Sequence, residues 1–151
     1  IKWHKPRIPG RIWDGICLHA TIHDSKNDFK EELYLIYWDQ VSDSWQWCTS
    51  GRDRTWASTI ADDRRREYSE ACIEVHTHPP GAYQFSKADD RDESGKFRIF
   101  GLIADVHDKP KFKFRCGIYD HLVPIPFSWI GQLPGGVIDL NEVEALLQMM
   151  L

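Results

Sequence analysis

Residues 71–95, ACIEVHTHPPGAYQFSKADDRDESG, decide how this chain is built. The first eight read as a strand, and Pro79 and Pro80 stop it because proline has no N–H to give to a ladder. A loop runs on to Phe85. SKADDRDESG then reads as a helix in which Ser86 and Asp89 form a capping box and Gly95 marks the C-terminal end. A strand, a loop and a helix in this order, with further strands after them, belong to an α/β or α+β fold rather than an all-β one.

Upstream, RIWDGICLHATIHD (11–24) places Ile12, Ile16 and His19 or Ala20 at helical intervals, and Lys26 to Asp28 supply polar residues suited to a helix end. EELYLIYWD (31–39) is a strand by its aromatic and β-branched content, turned at Ser42–Ser44 into a second strand, WQWCTS. Residues 51–70 have mixed charge and weak periodicity and read as a loop with a short helix. Downstream, KFRIFGLIAD and KFKFRCGIY form a hairpin across HDKP. In its second strand Lys111, Lys113 and Arg115 alternate with Phe112, Phe114 and Cys116, the pattern of a strand with one face in solvent. After PGG at 134–136 a last helix, about 138–151, opens with Asp139 and Glu142 as a capping pair. It carries an apolar stripe of Val143, Leu146, Leu147 and Met150, expected to dock on its own domain.

At 151 residues, 42% hydrophobic and 28% charged, the chain is the size of one domain with its own core, spanning 1–151. A formal charge of -4 gives no electrostatic reason to bind nucleic acid or an anionic membrane. Cys17, Cys48, Cys72 and Cys116 stand far apart without a CxxC pair, so reduced thiols in a cytoplasmic protein are expected. No apolar run reaches membrane-spanning length. Of the seven tryptophans, most are expected in the core; Trp45, Trp47 and Trp56 precede the histidine strand. Arg52, Arg54 and Arg64 to Arg66 read as a solvated charged face.

Along a strand, side chains at i and i+2 share a face, so His76 and His78 aim two imidazoles at one point. A carboxylate from the following helix, Asp89, is chemically suited to be a third ligand, leaving a fourth position for water as in catalytic zinc sites. The bland readings are a plain helix cap and two hydrogen-bonded surface imidazoles. Taken together they lose ground: at roughly 5% per residue type, His, His, Pro, Ser and Asp at these intervals arise by chance in well under 1 in 1,000 such chains.

The pattern His-x-His-Pro, then seven residues between His78 and Ser86 and two more before Asp89, resembles the signature of the JAMM zinc metalloproteases, the catalytic JAB or MPN domains. The likeness runs from about residue 11 to 130. DDRDESGKFRIFG and RCGIYDHLVPIP look like small bacterial members encoded beside ubiquitin-like conjugation components. The resemblance implies a central mixed sheet flanked by helices, a cytidine-deaminase-like sandwich, with one zinc ion on His76, His78 and Asp89 and an oxyanion-stabilising serine at Ser86. It implies an isopeptidase or peptidase that cleaves after the C-terminus of a ubiquitin-like protein, with activating and conjugating enzymes of the same operon as further partners. The substrate tail would lie along a sheet edge.

The family's general base is a glutamate upstream, where the first helix passes into the next strand, usually followed by a small residue and a glycine. Here Glu31 and Glu32 are available without that glycine. The apolar residue after it favours Glu32, while strand alternation groups Glu31 with Leu33 and Leu35. Glu74, two residues before His76, is a lesser candidate for a supporting role. Competing readings are an inactive MPN scaffold that binds ubiquitin-like proteins, and a zinc hydrolase of another kind, such as an amidase or peptidase acting on small substrates or a sulfur-carrier processing enzyme. A nucleotide deaminase is disfavoured, because His-x-Glu and Pro-Cys-x-x-Cys are both absent.

Overall fold

The computed structural model describes residues 4–23, 29–50 and 66–151. Helix α1 (Gly10–His23) leads into the antiparallel pair β1 (Leu33–Asp39) and β2 (Ser44–Thr49). The turn between them is tied by Asp39, whose carboxylate accepts from the Ser42 backbone and hydroxyl, and it places Asp43 at φ 50. The short α2 (Arg66–Glu70) precedes β3 (Ile73–Thr77), and α3 (Lys87–Glu93) crosses over to β4 (Lys96–Ala104), which runs parallel to β3. Strands β5 (Lys111–Tyr119) and β6 (His121–Ile125) continue antiparallel; a single 3-10 turn (Phe127–Trp129), β7 (Ile138–Asp139) and α4 (Leu140–Met149) close the chain. The result is a seven-stranded mixed sheet in the order β2-β1-β3-β4-β5-β6, with β7 parallel to β5.

The pleat divides the chemistry between two faces. On one, Tyr34, Ile36, Ile73, Val75, Ile99, Ile103, Phe112 and Phe114 meet the stripe of α1, Ile12, Trp13, Ile16 and Ala20, in the main core. Trp13 packs against Phe112, Phe114 and Phe127 at centroid distances of 5.7, 5.4 and 4.9 Å. Each such buried side chain contributes roughly 1.5–3 kcal/mol. Gly101 lies directly opposite Phe114, and a Cβ there would meet the ring at 2.4 Å, so the close packing of β4 on β5 requires glycine. The other face carries Leu33, Leu35, Glu74, His76, Leu102, Lys113 and Arg115, and α3 with its preceding loop lies over its β5 side.

Four expectations change. Strand β5 does not turn its basic side to solvent: Lys113 is 7% and Arg115 8% exposed, because the loop and α3 cover them. The last helix begins at Leu140 rather than 138, since Ile138 and Asp139 pair with Lys111 and Phe112. Its stripe does not dock on the domain: Leu146, Leu147 and Met150 are 61%, 57% and 81% exposed. Asp139 caps α4, yet through Asn141 N at 3.0 Å, while its other oxygen accepts from Phe127 N at 2.8 Å. Trp45 is buried and Trp47 half-buried. Lys26 to Asp28, Trp56, Arg52, Arg54, Arg64 and Arg65 lie outside the described residues; Arg66 is exposed and pairs with Glu70 at 2.8 Å.

Candidate metal centre

Register decides which side chains can meet. Leu33 stands opposite His76, and the pairing continues beyond β1 as Thr77 N donates to Glu32 O at 3.0 Å and Glu32 N donates to Thr77 Oγ1 at 2.9 Å. His78 stays in line past the end of β3 because its N–H donates to Ile103 O at 2.8 Å. Alternation therefore groups Glu31 with His76 and His78, and turns Glu32 to the opposite face with Thr77.

The two imidazoles converge with Nε2 atoms 2.7 Å apart. His78 Nδ1 donates to Ala82 O at 3.0 Å, a bond that fixes its tautomer and leaves Nε2 with a lone pair for a ligand. Burial pulls His76 below the usual imidazole range and so favours its neutral, metal-binding form. Burial pulls His78 down as well, but the hydrogen bond and charge of Asp89 outweigh it and leave that ring raised.

Asp89 reaches the imidazoles from α3, with Oδ1 at 3.2 Å from His76 Nε2 and Oδ2 at 3.4 Å from His78 Nε2. The capping box is what aims it. Ser86 N donates to Asp89 Oδ2 at 2.6 Å while Ser86 Oγ accepts from Asp89 N at 3.1 Å. The helix cap and the cluster are thus one arrangement. Burial pushes Asp89 up, but the histidines and Ser86 N–H hold it well below the usual carboxylate range, so it is ionised. Glu31 is raised from 4.5 to about 7, chiefly by burial, with His78 lowering it and Asp89 raising it, which places it in the electrostatic reach of the cluster.

Ligand atoms of His76, His78 and Asp89 all lie within 4.8 Å of one another. Two imidazoles and an ionised carboxylate, with one ring held in the correct tautomer, fit a dication such as zinc, and three protein donors leave a coordination position open. Glu74 is not part of the cluster: it is bound by Arg98 at 3.1 Å, with Lys96 at 3.7 Å. Sequence reasoning named the β5 cations but read them as a solvent face; what it missed is their hydrogen bonds to the loop and α3, which alternation within one strand does not signal.

A mixed sheet with a three-donor cluster between a strand end and a helix start defines an α/β domain with a candidate metal site. The model of the prokaryotic homologs of the JAB domain matches residues 18–117, and the chain belongs to that family. No curated protein and no solved structure gives a significant match.

Proposed function

We propose that this protein is a zinc-dependent peptidase that cleaves after the C-terminus of a ubiquitin-like protein, from a conjugate or a precursor. The observation that carries the proposal is the meeting of His76, His78 and Asp89 within 4.8 Å, with Glu31 on the same face. Bound there, zinc would supply Lewis acidity, acidifying water and polarising a carbonyl. Glu31 is the general base: it takes a proton from the attacking water and passes it to the departing amine, a role suited to a carboxyl raised to about 7. The Ser86 hydroxyl, exposed beside Asp89, donates to the oxygen on which charge develops. Glu32 holds the backbone register with Thr77 and takes no part in the proton transfer.

Membership of the JAB family supports a ubiquitin-like substrate and, as partners, the conjugation enzymes that accompany it. Among the described residues no helix is long and apolar enough to cross a membrane. The test is incubation with a ubiquitin-like protein fused to a reporter, with and without a chelator. Cleavage immediately after the modifier's last residue is expected, lost on chelation and restored by zinc. Cleavage that survives complete metal removal overturns the chemistry, and zinc binding without cleavage of the fusion or of short peptides points to a scaffold.

A further inference from the structure

Lys111, Lys113 and Arg115 occupy alternate positions of β5 on the face that bears His76; Lys113 and Arg115 bond the chain between His78 and Gly95 directly, and Lys111 reaches it through Asp105. Lys111 donates to Asp105 Oδ2 at 2.7 Å, and Asp105 accepts in turn from Gly81 N at 2.9 Å and from the Tyr83 hydroxyl. Lys113 donates to the Gln84 side chain at 3.0 Å and to Glu144 of α4 at 2.7 Å. Arg115 holds the last part. Its Nε donates to Glu93 Oε2 at 2.7 Å, Nη2 to the same oxygen, and Nη1 to Asp90 Oδ1 at 2.8 Å.

The same guanidinium lies 3.7 Å from the centroid of the Phe85 ring, and that ring stands edge-on to His76 at 6.2 Å. Arg115 therefore touches the residue just before Ser86 and the residue just after Asp89. The third donor is thus bracketed on both sides. An isolated helix of seven residues such as α3 has no stability of its own, so its placement has to come from contacts of this kind. The two histidines share one strand and need no such help. Asp89 comes from a separate element, and its distance to them depends on where α3 is held.

We propose that Arg115 is the positioning residue of the metal centre, setting Asp89 against His76 and His78 through the Phe85 stack and its bonds to Asp90 and Glu93. This rests on the metal reading above. Lysine cannot reproduce it, because a point charge on a flexible stem lacks the planar fork and the stacking surface.

The experiment compares wild type with Arg115→Lys, and with the double variant Arg115→Met/Glu93→Gln, which leaves no unpaired buried charge should the single change unfold. Arg98→Met serves as the control, since it removes a half-buried cation of the same face whose hydrogen bond goes to Glu74 rather than to the residues from His78 to Glu93. Zinc affinity is measured by competition with a chromogenic chelator, the visible spectrum is taken with cobalt(II) in place of zinc, and folding is followed by circular dichroism. Both Arg115 variants are expected to stay folded, to bind zinc about 10- to 100-fold more weakly and to show an altered cobalt spectrum, while Arg98→Met matches wild type. Wild-type affinity and spectrum in a folded Arg115 variant overturn the positioning role. Absence of zinc binding in wild type overturns the metal reading and this inference with it.

Discussion

Glu31 and Glu32 are neighbours in the chain and face opposite sides of the sheet. Glu31 feels the charges of His78 and Asp89. Replacing it with glutamine is expected to leave zinc binding intact and to lower kcat by about 10²–10⁴-fold, with Glu32→Gln close to wild type. Turnover of the reporter fusion at saturating zinc checks this; equal losses in both variants would remove Glu31 as the base. Glu31 also makes a stability argument. Its folded value, about 7, exceeds its ordinary 4.5, so the native state binds that proton more tightly than the unfolded chain does. The stability linked to it is complete below the ordinary value and is lost as pH rises through the folded one. Metal-free Glu31→Gln is accordingly expected to melt above wild type near pH 8, by a margin that narrows toward pH 5. A margin independent of pH would contradict the assignment. Of these two glutamates the sequence named the pair and leaned by its apolar neighbour toward Glu32; the strand register, which a local reading lacks, groups Glu31 with the histidines.

At the scale of elements, α3 shows why a cap and a ligand set can share residues. Ser86→Ala removes the oxygen that accepts from Asp89 N, and is expected to cost about 1 kcal/mol of stability. It also removes the hydroxyl donor, with a loss on the order of 100-fold in turnover. Ser86→Asp restores the cap without a donor, so it should recover the melting behaviour and not the activity. If Ser86→Ala turns over substrate at the wild-type rate, the hydroxyl has no catalytic role. Helix α4 is the opposite case, in which periodicity identified the helix but not its setting. Its stripe turns outward while Glu144 on another face bonds Lys113. Leu147→Glu is therefore expected to change stability by no more than about 0.5 kcal/mol, measured by urea unfolding, whereas a docked helix would lose several times that. Strand β6 escaped the sequence reading because HLVPI is short and holds a proline, which an edge strand tolerates and a central one does not.

For the molecule as a whole, one face of the sheet packs the main core, and the other carries the His76, His78 and Asp89 cluster, the ion pairs that frame it and a smaller apolar cluster around Leu33 and Leu35. Trp13 joins α1 to β5 and the 3-10 turn, so Trp13→Ala is expected to cost about 3–5 kcal/mol and to lower the unfolding midpoint of the entire domain in one step. A two-step melt would show that α1 is not integral to the core. The sequence by itself determined the elements around residues 71–95, the hairpin of β4 and β5, and the types and spacing of the three donors, because strand alternation, proline stops and helix caps act over a few residues. Only the tertiary structure decided which glutamate faces the cluster, that the basic side of β5 is covered, and that the stripe of α4 is left open. Each of those depends on which segments from distant parts of the chain are stacked against a given face, and side-chain periodicity within a segment carries no record of that.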